Sequence, residues 1–231
     1  IMGINTSTGG VFSHAIGSSN FNSSYSGNVT LVNGAANATT VSDFGIADFN
    51  GDGFSDYIVS SSASTFVVLN TTTTVGSSST SFSQSSDFGF GANNIRMADI
   101  DNDGDIDVLV QKNNTNLRVL TNNGSGSFTA STVSLNSSGV QLADYDGDGL
   151  LDIISYTGSV LNFHKNTSSS SISFDSNPVT IISNQGTTGL TGEFLITDLN
   201  SDGKYDLTFD YTVAISIGMK FLFAFGILGS I

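Results

Sequence analysis

Nineteen aspartates and one glutamate, Glu193, are the acidic residues of this 231-residue chain, and fifteen of the aspartates crowd into four nine-residue windows. The windows are DFNGDGFSD (48–56), DIDNDGDID (99–107), DYDGDGLLD (144–152) and DLNSDGKYD (198–206). Each reads D-x-[DN]-x-D-G-x-x-D. Loop positions 1, 3, 5 and 9 hold Asp48, Asn50, Asp52, Asp56; Asp99, Asp101, Asp103, Asp107; Asp144, Asp146, Asp148, Asp152; and Asp198, Asn200, Asp202, Asp206. Carboxylates this close repel one another unless a cation sits among them. All the candidate ligands are hard oxygens, which suits Ca²⁺ or Mg²⁺ rather than transition metals. Position 6 is always glycine (Gly53, Gly104, Gly149, Gly203), which permits a sharp turn around an ion. Position 7 is Phe54, Asp105, Leu150 or Lys204. A lysine side chain cannot ligate a cation, so this position is expected to offer its backbone carbonyl. So many protein oxygens favour Ca²⁺ over Mg²⁺, which prefers to keep its waters. About four Ca²⁺ are expected, one per loop.

An EF-hand starts in the same way but needs an acid at loop position 12. That position holds Val59, Val110, Ser155 and Phe209, so the EF-hand is rejected. A dockerin is disfavoured on the same ground, and it would also need a helix after the loop. Asp-Gly pairs alone make hairpin turns. One such loop would be ambiguous, whereas four that keep every ligand position argue for metal.

The rest of the composition narrows the function. Six Lys and Arg against twenty acids leave a formal net charge of −14. Nucleic acid is excluded as a partner for want of basic surface, and an anionic membrane would repel the chain. Helices are disfavoured, because Ser, Thr, Asn and Gly dominate. A hydrophobic share of 38% with 17 Phe still supplies a core. There is no cysteine, so disulfides, thiolate zinc, iron–sulfur clusters and cysteine nucleophiles are out.

The loops belong to a longer repeat. Their first aspartates are 51, 45 and 54 residues apart. Apolar alternation precedes three of the loops (Ile95, Met97; Val140, Leu142; Phe194, Ile196), and a short apolar run such as Val108-Leu109-Val110 follows. Both flanks read as strands. About 22 residues after the first Asp, FVVLN (66–70), LRVLTNN (117–123) and VLNFHKN (160–166) read as strands ending in Asn. A polar turn then leads to a strand carrying Phe82, Phe128 or Phe174. Four short strands per period are the pattern of a β-propeller blade. The expected division is a partial blade plus long loop (1–40), blades over 41–89, 90–136 and 137–188 with loops 1 to 3, and an incomplete blade with loop 4 and an apolar tail (189–231). The N-terminal stretch 4–12 matches the back half of a blade, and 13–40, rich in Ser, Asn and Gly, reads as an inserted surface loop.

With these motifs the chain resembles the FG-GAP/VCBS repeats, the calcium-binding blades of integrin α-subunit propellers and of many large secreted bacterial proteins. The resemblance covers about residues 40–212. It implies an all-β fold of four-stranded antiparallel propeller blades with a calcium ion in a hairpin loop of each, held by the residues named above. It also implies a secreted or cell-surface location and a role in adhesion or recognition of an extracellular protein or glycan. No enzymatic activity is expected. The alternatives are an accessory propeller region of a secreted polysaccharide-degrading enzyme and a structural spacer in a large surface protein. The blades are expected to form an open, partial propeller. The alternative is a four-bladed closed ring, in which residues 4–12 pair with 205–211 and no sheet edge is left bare.

Fewer constraints come from the remaining signals. No signal peptide is visible at the N-terminus. The stretch 213–231 carries one charge, Lys220, and reads equally as a buried strand or helix, a membrane anchor, or a misread end. Membrane contact is expected only if it is an anchor. His14 and His164, the two histidines, lie in no nucleophile motif and read as surface residues.

Overall fold

The structure, a computed structural model, describes residues 2–5, 10–13, 41–75, 81–112, 116–158, 160–183, 190–201, 205–212 and 220–226. All the regular structure described is β. Strands β3 (Val41–Ala47), β4 (Asp56–Ser61), β5 (Thr65–Asn70) and β6 (Phe82–Asp87) pair in chain order as one sheet. A second sheet has β7 (Asn94–Ala98), β8 (Asp107–Gln111), β9 (Asn116–Asn122) and β10 (Phe128–Asn136). The third has β11 (Gly139–Ala143), β12 (Asp152–Thr157), β13 (Val160–His164) and β14 (Val179–Ser183). The fourth is three-stranded, with β15 (Leu190–Thr197), β16 (Asp206–Thr212) and β17 (Lys220–Gly226). A hairpin of β1 (Met2–Asn5) and β2 (Gly10–Ser13) stands before them. The four-stranded antiparallel blades read from the repeat are present.

Contacts divide the chain into two units. One comprises Ile1–Met97, Asp105–Lys112 and Leu120–Ala130; the other comprises Ala98–Gly104, Asn113–Val119 and Ser131–Ile231. The first has a core of Phe49, Ile58, Val67, Ala92, Ile95, Val108, Val110 and Leu120, all buried. Phe128 meets Phe49 edge-on, with ring centroids 5.3 Å apart. Each such side chain contributes about 1.5–3 kcal/mol on burial, so packing between sheets outweighs strand propensity. Backbones come close here as well: a Cβ on Gly91 would lie 2.3 Å from the carbonyl oxygen of Ser61. The second unit packs Ile154, Leu161, Phe163, Phe194 and Leu207 together. In it the Gln141 amide donates to the Phe194 carbonyl at 3.0 Å.

Two expectations need correction. Phe174 does not lie in a fourth strand: it makes an isolated bridge with Asn166, and the strand forms later, at β14. Pro178 stands immediately before β14 and has no N–H to continue a ladder, so the chain leaves β13 and rejoins it, with a register shift between Leu161 and Asn162. His164 is not a surface residue. It is 6% exposed, and its Nε2 lies 3.0 Å from the hydroxyl of Ser155, itself buried. Within the apolar tail, Lys220–Gly226 is a strand pairing with β16, from Asp206↔Gly226 to Thr212↔Lys220. No helix among the described residues is long and apolar enough to cross a membrane. The pairing that a four-bladed ring would need is not present among the described strands: β1 and β2 pair with each other, and β16 pairs with β15 and β17. His14 and nearly all of the loop expected over 13–40 lie outside the described residues.

Candidate metal centre

Every Asp loop joins the first strand of a sheet to the second. Position 1 follows Ala47, Ala98, Ala143 or Thr197, the last residues of β3, β7, β11 and β15. Position 9 opens β4, β8, β12 and β16. A loop so placed is anchored at both ends by a ladder, and its middle must turn tightly. The position-6 glycines take φ of 85° at Gly53, 97° at Gly104 and 92° at Gly149, a region that side chains disfavour.

The carboxylate at position 1 folds the loop around itself. Asp48 accepts the backbone N–H groups of Asp52 (3.2 Å) and Gly53 (2.8 Å). Asp99 accepts those of Asp103 and Gly104, both at 3.0 Å. Asp144 accepts those of Gly147 (2.8 Å) and Gly149 (3.0 Å). Position 5 hooks position 7: the N–H groups of Phe54 and Leu150 donate to Asp52 (2.8 Å) and Asp148 (3.0 Å). A carboxylate offers about four lone-pair sites, so one holding two N–H groups can still face a cation. At position 7 of loop 2, the Asp105 carboxylate lies against the turn after β9, 2.6 Å from where a Cβ on Gly124 would stand.

Position 9 differs from the other three. Asp56, Asp107 and Asp152 are fully buried and Asp206 nearly so. Asp56 accepts the N–H of Phe49 at 2.8 Å and that of Asn70 at 2.7 Å. Asp152 accepts those of Tyr145 at 2.9 Å and Asn166 at 2.7 Å. Asp107 accepts that of Asn122, and Asp206 that of Leu199. This residue is a brace as well as a candidate ligand, and in loops 1 to 3 it ties the loop to the end of the third strand. Burial pushes the carboxyls of Asp56 and Asp152 above the usual range, against their hydrogen bonds, and neighbouring loop carboxylates add to the rise.

The Asn residues at the third-strand ends, read from the sequence only as strand termini, do the complementary work. The side-chain amide of Asn122 donates to the carbonyls of Ile106 (3.2 Å) and Phe49 (2.8 Å). That of Asn166 donates to Leu151 and Ile100, both at 2.8 Å. Phe49 and Ile100 are position 2 of the preceding loop, so one amide fastens two successive repeats. The signal available in the sequence was an Asn 14 or 15 residues after position 9 of loops 1 to 3.

Among the described residues, two loops gather three carboxylates closely enough to hold a metal ion. Oxygens of Asp99, Asp101 and Asp107 lie within 4.8 Å of one another, as do those of Asp144, Asp146 and Asp152. At loop 2 the donor set fits a cation: Oδ1 of Asp101 is buried with no hydrogen-bond partner. Burial, then the charges of Asp103 and Asp99, raise the Asp101 pKa. At loop 3 a cation is already supplied by the protein. The Lys165 ammonium pairs with Asp146 and, at 2.7 Å, with Asp148, and the hydrogen bond it donates lowers the Asp148 pKa. Lys165 was not singled out in the sequence. In loop 1, Asn50 turns its amide to Asp52 at 3.1 Å. In loop 4, Asp198, Asn200 and Asp206 are described, and Asp202, Gly203 and Lys204 lie outside the described residues.

Repeated four-stranded sheets, entered through Asp-Gly loops between their first two strands, define a β-propeller-type repeat protein. A model of the FG-GAP-like repeat family matches residues 48–110 and 99–155. Residues 48–155 are thus similar to FG-GAP-like repeats. None of the curated proteins compared matches the chain.

Proposed function

We propose that this chain is a calcium-binding propeller-repeat segment, secreted or displayed at a cell surface. In this reading it recognises an extracellular protein or glycan and catalyses no reaction. The observation that carries the metal reading is the partnerless, buried Asp101 Oδ1 inside a group of three loop carboxylates. A buried carboxylate oxygen with no donor is costly, and a hard divalent cation is the partner its chemistry takes. Position 7 carbonyls, from Phe54, Asp105, Leu150 and Lys204, would complete each set, giving about four Ca²⁺. The ions would neutralise the loops and hold them in one shape, leaving the surface around them for recognition. The resemblance to adhesion propellers supports the location and role.

Thermal melting in EDTA and in millimolar calcium tests this. At free calcium about 100 times Kd, each site adds roughly 2.7 kcal/mol, so the melting temperature should rise clearly. An unchanged melting temperature rejects the metal reading. Glycan arrays and protein pull-downs in calcium and in EDTA should show calcium-dependent binding, and no binding on either would favour the spacer.

A further inference from the structure

We propose that Lys165 is a tethered counter-cation of loop 3, and that calcium enters this loop only by displacing it, so that loop 3 fills last. The inference rests on the calcium reading above and says how one site departs from the others. The Lys165 ammonium bridges Asp146 and Asp148, positions 3 and 5. These are side chains expected to face an ion, and a divalent cation and an ammonium cannot both occupy the space between them. The lysine stands next to Asn166, whose N–H is held by Asp152 at 2.7 Å. Its backbone carbonyl accepts the N–H of Asp175 at 2.8 Å. The side chain is therefore delivered to its own loop from a braced strand end. The equivalent residues before Asn70 and Asn122 are Leu69 and Thr121, neither of which can carry charge into loop 1 or loop 2. The ion pairs are partly exposed, with Lys165 at 42% and the two aspartates at 29% and 34%. Such pairs are weak enough for a divalent ion to break.

Two measurements test it. Calcium titration by calorimetry on the whole chain should show Lys165→Met tightening the weakest site about three- to tenfold, the size of one or two exposed ion pairs. Lys112→Met, which removes the same charge at a lysine bonded to the Ser62 carbonyl, should leave it unchanged. Thr121→Lys should weaken a second site. Amine-reactive footprinting read by mass spectrometry should find Lys165 protected in EDTA and more reactive in calcium. If the tight sites fill but Lys165→Met leaves the weakest one as it was, the tethered cation is overturned and the calcium reading stands. Equal labelling of Lys165 in both conditions overturns it too. If no loop takes calcium in wild type or variant, both fall together.

Discussion

Replacing Asp152 by alanine should separate the bracing role of position 9 from any role in metal binding. Asp152 is fully buried, and its two oxygens accept the N–H groups of Tyr145 and Asn166. The variant leaves one buried donor, the Asn166 N–H, and one part-buried donor, the Tyr145 N–H, without an acceptor, each worth about 1–3 kcal/mol. Relief of a buried carboxylate that burial has made harder to ionise offsets part of that loss. A net loss of about 2–4 kcal/mol remains, roughly 5–15 °C of melting temperature for a chain of this size. Asp148→Ala is the control. Its side chain is exposed, water can replace it on the Leu150 N–H, and its pair with Lys165 is partly exposed and screened by solvent. In EDTA, melting followed by circular dichroism should show Asp152→Ala far below wild type and Asp148→Ala close to it. In calcium both should fall. Equal melting of the two variants in EDTA would refute the brace and return position 9 to the rank of an ordinary ligand.

Further outcomes follow from the same contacts. Asn122→Ala should destabilise the chain more than Asn70→Ala, by about 1 kcal/mol in urea unfolding. The Asn122 amide reaches the Phe49 carbonyl besides its own loop, whereas that of Asn70 donates to Ser55 alone among the described residues. His164 should make stability fall in mild acid. Burial holds its pKa below the usual value, opposed by a backbone hydrogen bond to Asp175 and that residue's charge. A histidine with a depressed folded pKa stabilises fully above its unfolded value, about 6.5, and loses that contribution as pH falls through the folded one. Melting from pH 8 to 5 should therefore drop more steeply in wild type than in His164→Gln, and parallel curves would count against it.

The Asp loops, their flanking strands and the four-strand period were legible because each is written in local pattern: apolar alternation, Asp-Gly turns and a fixed spacing. What spacing does not carry is burial. In one dimension Asp152 and Asp148 look alike, yet one is sealed in the sheet and the other faces water. The sequence reading gave the side chains at positions 1, 3, 5 and 9 of each loop a single role for that reason. Asn122 and Asn166 were seen as strand ends, and their reach to the preceding repeat depends on how sheets meet, which no local window records. His164 was misjudged because an isolated histidine gives no sign that a serine across the strand will satisfy it. Phe174 was placed in a strand by analogy with Phe82 and Phe128, before the missing N–H of Pro178 was weighed. Lys165 escaped notice because its partners lie 17 and 19 residues away.

The Asn clasp also bears on how such a chain can lengthen. The second and third repeats each carry one amide that reaches backward, Asn122 to the position-2 carbonyl of Phe49 and Asn166 to that of Ile100. Wherever a duplication or deletion is cut, a block of one full period contains one of each. Gaining or losing whole periods therefore leaves the inventory of donors and acceptors balanced, with no buried group stranded at the new junction. A block of any other length would leave either an amide or a carbonyl without its counterpart. The clasp thus acts as a copying rule, under which the chain grows or shrinks by whole blades.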